Sequence, residues 1–73
     1  MIKELDRVIL NKDISKYNLK KGDIGTIVMI HRNGEGYEVE FMTLDGQTLS
    51  VETLKSDDVR EIRKREIAHV RVL

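Results

Sequence analysis

The chain has 73 residues, no cysteine, and a formal net charge of zero although 36% of its residues are charged. Such a length allows one small domain, and the lack of cysteine excludes disulfides and thiolate metal sites. The balanced charge and an aromatic content of 4% argue against a general nucleic-acid binder. No apolar run is long enough for a membrane span, and charges lie early in the chain where a signal peptide would be apolar. We therefore expect one cytoplasmic domain over residues 1–73.

The first predicted strand covers residues 6–10, with Val8 and Leu10 facing inward and Ile9 on the other face. Residues 11–20 follow without a sustained hydrophobic period and with several turn-forming residues. We expect them to form a long surface loop with at most one helical turn. The apolar residues of this loop, which would fold back on the domain, are Ile14, Tyr17 and Leu19.

Residues 21–30 are the stretch around which the chain is organised. Gly22 can adopt the positive φ of a tight turn, and Gly25 allows another backbone or a bulky side chain to come close. Residues 24–31 are the most apolar run of the chain and are predicted to be the second strand. Because a strand follows the glycines where a phosphate loop needs a helix, we interpret these glycines as structural.

Two hairpin turns follow, at residues 32–36 and 43–47, and they contain an Asn-Gly and an Asp-Gly pair. Residues 37–41 and 48–53 alternate apolar with polar side chains and are predicted to be the third and fourth strands. The apolar side chains that this alternation turns inward are Tyr37, Val39, Phe41, Leu49 and Val51.

A short 3-10 turn at residues 54–58 leads into a fifth predicted strand at residues 59–62. Short strands, tight glycine turns, a long first loop and this late 3-10 turn are typical of an all-β fold, a small SH3-like barrel of five to six short antiparallel strands. The alternative is an OB-fold, which normally needs more residues and a helix between strands. The predicted core consists of Val8, Leu10, Ile24, Ile27, Val39, Phe41, Leu49, Val51, Leu54, Val59 and Ile62.

The terminal extension, residues 63–73, begins with a charged run and resumes β-type composition from Ile67 onward. We predict a strand here, and two placements are open. It would pair with the first strand as a sixth strand of the domain, or it would reach out and augment the sheet of another chain.

Several segments resemble a family of short bacterial proteins, frequent in cyanobacteria, that is known only as a domain of unknown function. These segments are residues 2–8, 21–26, 36–41 and 67–71. Residues 21–28 are also similar to the glycine-centred turn of KOW-type domains, which are SH3-like barrels. The resemblance implies a bacterial cytoplasmic setting. Because such small genes often lie beside a partner gene, it also implies a toxin–antitoxin or accessory role. It implies no catalytic residues.

Our first hypothesis is a non-enzymatic protein-interaction module that binds a partner protein or forms a homo-oligomer. The chain has more apolar residues than one small barrel can bury, and its zero net charge makes association easier. His69, if it lay beside such an interface, would make association sensitive to pH. The predicted partner-binding residues are Ile9, Tyr17, Leu19, Ile67, His69, Val70, Val72 and Leu73.

The alternative hypothesis is a KOW-like module that binds RNA or the ribosome through phosphate contacts. Glu61 and Glu66 are interleaved with the basic residues, and the total charge cancels, which weighs against this hypothesis. The predicted nucleic-acid-binding residues are Lys20, Lys21, Arg32, Arg60, Arg63, Lys64 and Arg65.

The carboxylates indicate no catalytic chemistry. Glu38 and Glu40 alternate on one exposed face, which Glu52 would join from the neighbouring strand, but no nucleophile or histidine lies at a suitable spacing. Asp57 and Asp58 are expected to cap the 3-10 turn, which offers too few oxygen ligands for calcium. We therefore expect no enzymatic activity, no metal, no cofactor, no membrane contact and no small-molecule substrate.

Overall fold

The computed structural model describes the whole chain, residues 1–73. Its regular structure consists of five strands and three 3-10 turns. The strands are β1 (Arg7–Leu10), β2 (Ile24–His31), β3 (Gly36–Met42), β4 (Thr48–Lys55) and β5 (Val59–Glu61). The 3-10 turns are Ser15–Tyr17, Arg32–Gly34 and Ser56–Asp58. None of these turns has the length or the hydrophobicity that a membrane-spanning helix requires.

The strands form one antiparallel sheet in the order β4-β3-β2-β1-β5. The long strand β2 pairs with β1 near its start and with β3 along most of its length, so it links the two halves of the sheet. The 3-10 turn Ser56–Asp58 carries the chain from the edge strand β4 to the other edge strand, β5. This arrangement confirms the predicted all-β, SH3-like barrel, with five strands rather than six and a 3-10 turn before the fifth.

Nine buried side chains form the core, and they come from all five strands and the first loop. They are Val8, Leu10, Leu19, Ile27, Tyr37, Val39, Phe41, Leu54 and Val59. The prediction is wrong at four positions whose side chains are exposed: Ile24, Leu49, Val51 and Ile62. Ile24 lies on the opposite face of β2 from the buried Ile27, and Ile62 lies beyond the end of β5, so neither side chain points into the barrel.

β4 is offset by one residue from the predicted alternation. Leu54 lies opposite Tyr37 and shares its buried face, which turns Val51 outward because side chains alternate along a strand. Val51 instead lies opposite Glu40 on the outer face of the sheet. The single leucine at the end of β4 therefore decides which face of this strand is buried.

Gly22 and Gly25 have the structural roles predicted for them. Gly22 has a φ of +99° in the turn before β2, a conformation that residues with side chains rarely adopt. Gly25 is buried, and a Cβ atom there would lie 2.5 Å from Cγ1 of Val39. The start of β2 can pack against β3 only because this position has no side chain.

Residues 62–73, called the tail below, form no strand within the single chain, so their predicted placement as a sixth strand of the domain is wrong. These residues cannot pair with β1, because β1 already pairs with β2 on one side and with β5 on the other. From residue 67 onward the tail makes no backbone–backbone hydrogen bond. A segment with the composition of a strand therefore has no strand partner.

Candidate interaction groove

An apolar groove opens between three segments: residues 19–24, which lead into the start of β2, the β3–β4 hairpin, and the tail. Its volume is about 580 Å³, and ten of its sixteen lining residues are hydrophobic. These hydrophobic residues are Leu19, Ile24, Phe41, Met42, Leu44, Leu49, Ala68, Val70, Val72 and Leu73. The fold thus gathers at one place apolar side chains that are widely separated in sequence.

A β-bulge in the β3–β4 hairpin shapes one wall of the groove. Phe41 pairs with Ser50 and Met42 pairs with Thr48, so Leu49 is an extra residue on β4. A bulge re-aims the side chain that it carries. Leu49 and Met42 both remain partly exposed and line the groove.

The tip of this hairpin presents Leu44 to solvent. The backbone N–H of Thr43 donates to the carbonyl of Gln47 at 2.9 Å, and the Thr43 hydroxyl accepts from the Gln47 N–H at 3.2 Å. Gly46 closes the turn with a φ of +92°. The side chain of Leu44 is 90% exposed, although it forms part of the groove wall. A closed turn therefore holds a large apolar side chain in water.

Arg71 anchors the tail to the turn before β2. Its Nε donates to Asp23 Oδ1 at 2.7 Å, and its Nη2 donates to Asp23 Oδ2 at 2.5 Å and to the Asn18 carbonyl at 2.8 Å. The Lys20 N–H donates to the same carboxylate at 2.8 Å and orients it. The hydrogen bonds from Arg71 hold the pKa of Asp23 below its ordinary value of 3.8, against the opposite effect of burial.

Five of the eight predicted partner-binding residues lie on the tail and are exposed or only partly covered: Ile67, His69, Val70, Val72 and Leu73. All of these except Ile67 line the groove. Ile9 and Tyr17 are half-buried and lie outside the groove lining.

The eighth residue, Leu19, is part of the core and only 3% exposed, so it offers almost no surface to a partner. Ile14 and Leu19 exchange two backbone hydrogen bonds of 2.9 and 3.1 Å, which close the first loop around the 3-10 turn Ser15–Tyr17. The loop folds back on the barrel, as predicted, and this fold-back is what buries Leu19. Leu19 still belongs to the groove lining, and its assignment to a partner-binding surface stays a prediction.

Four large exposed apolar side chains of the groove were missed by the sequence prediction. Ile24 and Leu49 were assigned to the core, and Met42 and Leu44 were assigned no role. The sequence does contain a signal for Leu44. It is an apolar residue directly before the Asp-Gly pair of a hairpin turn, and a side chain at the tip of a hairpin lies away from the core. The position of Leu49 depends on the bulge, which leaves no mark in the hydrophobic pattern.

The predicted nucleic-acid-binding residues 20–21 and 63–65 lie at opposite ends of β1. Residues 20–21 lie beyond the Leu10 end of β1. The backbone that follows them, at residues 22–23, hydrogen-bonds to the backbone of Leu10. Residues 63–65 follow β5 at the opposite end of β1, because Glu61 pairs with Val8. The two basic groups are therefore separated by the length of β1.

Two more of these basic residues are paired with carboxylates. Arg60 makes a bidentate contact with Glu66, with nitrogen–oxygen distances of 2.8 and 2.6 Å. This pairing raises the pKa of Arg60 and, with a hydrogen bond from the Arg63 N–H, lowers the pKa of Glu66 to about 2. Arg32 lies 4.0 Å from Glu35 in the β2–β3 turn. These pairs reduce the positive charge that a phosphate would meet.

The Glu38 carboxylate is hydrogen-bonded to neighbouring side chains on the outer face of the sheet. The carboxylate lies 2.7 Å from His31 Nε2, so a histidine is within hydrogen-bonding distance, contrary to expectation. It also accepts from the Thr53 hydroxyl at 2.7 and 2.9 Å. These hydrogen bonds, the one with His31 first, lower the pKa of Glu38. Glu40 shares this face, but Glu52 lies on the opposite one, contrary to expectation. No group of three or more histidine or acidic side chains in residues 1–73 is placed to hold a metal ion.

The match to known families covers the barrel and stops where β5 ends. A family described as a domain of unknown function, DUF4926, matches residues 4–61. The chain belongs to this family. Searches of curated proteins and of solved structures found no match. The matched residues include the turn before β2 and the β3–β4 hairpin, whereas the tail lies outside them, so the groove combines two family elements with one segment beyond the family match.

Proposed function

We propose that this domain is a non-enzymatic protein-interaction module and that the groove binds an extended apolar segment of a protein partner. The supporting observation is the convergence of exposed apolar side chains from the start of β2, the β3–β4 hairpin and the tail. Single exposed hydrophobic residues are common on protein surfaces, whereas a contiguous apolar patch with a polar rim is typical of an interaction site.

The charges around the groove favour an uncharged occupant. Asp23 and Arg71 neutralise each other, which leaves Asp45 as the one carboxylate of the lining without a cationic partner. A charged segment would lose hydration on entering this groove and gain little attraction in return. An apolar segment would instead bury the side chains of Leu44, Met42 and Val72, which water now contacts.

This role is compatible with an accessory or antitoxin-like subunit in a bacterial cytoplasm, which we include in the proposal. The chain has no cysteine, which fits a reducing compartment. We do not extend the proposal to RNA, because the basic residues lie at opposite ends of β1 or are paired with glutamates.

Selection from a displayed peptide library tests the proposal without knowledge of the partner. We expect enriched peptides to be apolar and poor in charge. Their affinity, measured by fluorescence anisotropy, should fall at least about tenfold for Leu44→Lys, since a charge would enter the apolar contact. Val51→Lys is the matched control, because Val51 is a partly exposed apolar residue on the outer face, outside the groove lining. Equal losses in both variants, or no enrichment of apolar peptides, would contradict the proposal.

A further inference from the structure

We infer that the occupant of this surface is a second copy of the chain, joined by antiparallel pairing of the two tails about a two-fold axis at Val70. The inference rests on the proposed function, since it names the partner of the same groove. It commits to one register, in which residue 70 of one copy lies opposite residue 70 of the other.

The first observation is the unpaired backbone of the tail. Residues 67–73 make no backbone–backbone hydrogen bond, and their side chains are largely exposed. The segment is rich in β-branched and aliphatic residues, and the chain contains no proline that would block pairing. Strand-forming segments with free N–H and C=O groups are templates for pairing with another chain. The tail meets these conditions, whereas β1, β2 and β3 are paired on both sides.

The second observation is that the tail is complementary to itself. Antiparallel pairing about Val70 places Val70 opposite its copy and Ala68 opposite Val72, all on one face. Ile67 lies opposite Leu73 on the other face, so five of the seven pairs are apolar, and the other two are the same pairing related by the two-fold axis. A shift of one residue in this register would destroy the match of apolar with apolar side chains.

The remaining pair brings His69 opposite Arg71. It adds little repulsion, because the Arg71 guanidinium is already held by the Asp23 carboxylate. The zero net charge of the chain also removes the general repulsion between two copies. The electrostatics of the molecule therefore permit this dimer, whereas a strongly charged chain would resist it.

The third observation is that the tail is already positioned. Arg71 fixes the middle of the segment to the turn before β2, so less conformational freedom is lost when a second tail pairs with it. The sixteen residues that line the groove approach the roughly 20–30 residues that one side of a standard interface uses. Because the tail is itself one wall of the groove, a second tail paired with it would lie beside the groove.

Light scattering on the full chain over a wide concentration range is the first test. We expect a species of twice the monomer mass that dissociates on dilution. Val70→Asp should abolish it, because two carboxylates would lie directly opposite each other, whereas the matched Val70→Thr should retain it. Residue 70 contributes nothing to the core, so circular dichroism should show an intact barrel in both variants.

Cysteine cross-linking tests the register, and the absence of native cysteine makes the result unambiguous. Val70→Cys should form a disulfide-linked dimer on mild oxidation, because opposite residues of antiparallel strands have Cα atoms about 4.5–5.5 Å apart. Val72→Cys should not, because its two copies would lie roughly 14 Å apart along the strands. A mixture of Ala68→Cys with Val72→Cys should cross-link between the two variants.

The outcomes separate this inference from the proposed function. A monomer at every concentration, or a Val72→Cys variant that cross-links to itself as readily as Val70→Cys, would overturn the tail-paired dimer. Neither result would alter the selective loss of peptide binding expected for Leu44→Lys. Conversely, a cross-linked Val70→Cys dimer with no selective peptide binding would support the tail pairing and contradict the apolar groove as a binding site for other proteins.

Discussion

Gly25 lies so close to the side chain of Val39 that a Cβ atom at this position would be 2.5 Å from Val39 Cγ1 and 2.8 Å from Phe41 Cε1. Both neighbours belong to the buried core, whose close packing resists their displacement. We therefore expect Gly25→Ala to lower the free energy of unfolding by about 1–3 kcal/mol, as other overpacking substitutions do. Urea denaturation followed by circular dichroism measures this change.

Gly22→Ala is the matched control for this prediction, because a Cβ at Gly22 would meet nothing within 4 Å and only the positive φ of +99° opposes it. Gly22→Ala should lower the free energy of unfolding by about 1 kcal/mol. The double variant Gly25→Ala with Val39→Ala should lose less free energy of unfolding than the sum of the two single variants, because Val39→Ala provides space for the Cβ at residue 25. Strict additivity of the two substitutions would show that the close contact is not the cause.

Leu19 and Leu44 are both leucines in connecting segments, and the structure assigns them opposite effects on stability. Leu19 is 3% exposed and Leu44 is 90% exposed. Leu19→Ala should lower the free energy of unfolding by about 2–4 kcal/mol through the cavity it creates. Leu44→Ala should change it by less than about 0.5 kcal/mol. Thermal unfolding of the two variants side by side checks the difference, and similar melting temperatures would contradict the burial of Leu19.

The sequence predicts most of the barrel because its turns are specified locally. The Asn33-Gly34 and Asp45-Gly46 pairs place both hairpins, and the alternation from Tyr37 to Phe41 places the strand between them. The inward face of β4 was predicted wrongly because its apolar residues lie at both odd-numbered and even-numbered positions. Leu49 and Val51 indicate one inward face and Leu54 the other, and the contact of Leu54 with Tyr37 decides between them.

The groove was predictable only in part, because it depends on tertiary relationships. The composition of the tail indicates a strand, but whether a strand forms depends on a free edge, and both sides of β1 are taken. Leu19 looks like a surface residue until the loop closes through its hydrogen bonds with Ile14. The tail residues were recognised because they exceed what a small core can bury, whereas the hairpin wall required the structure.

Glu66 gives a prediction about pH. Its contacts with Arg60 and the Arg63 N–H lower its pKa from 4.5 to about 2. Because the folded-state pKa lies below the unfolded one, this contact stabilises the fold fully above pH 4.5, and the contribution is lost as the pH falls toward 2. An NMR titration of the Glu66 carboxyl carbon should show this low midpoint. In Arg60→Gln the midpoint should rise toward 4.5, and an unchanged midpoint would contradict the assigned cause.

The contact between Arg71 and Asp23 predicts how the tail is held. In Arg71→Ala the tail should lose its attachment, and the heteronuclear NOE values of Val70 and Val72 should fall markedly relative to those of β2. Arg65→Ala is the matched control, because Arg65 lies in the same tail, is exposed and forms no hydrogen bond or ion pair. It should leave these values unchanged.

The same attachment should depend on pH with a defined sign. The pKa of Asp23 is lowered by Arg71, so the attachment is complete above pH 3.8 and is lost only as the pH falls through the lower value of the folded state. In Arg71→Ala the pKa of Asp23 should move up toward its ordinary value, while the hydrogen bond from the Lys20 N–H should keep part of the downward shift. An NMR titration of Asp23 in both proteins measures the change. If Asp23 titrates identically with and without Arg71, the tail is not held by this contact, and the preorganisation that favours pairing of two tails is lost with it.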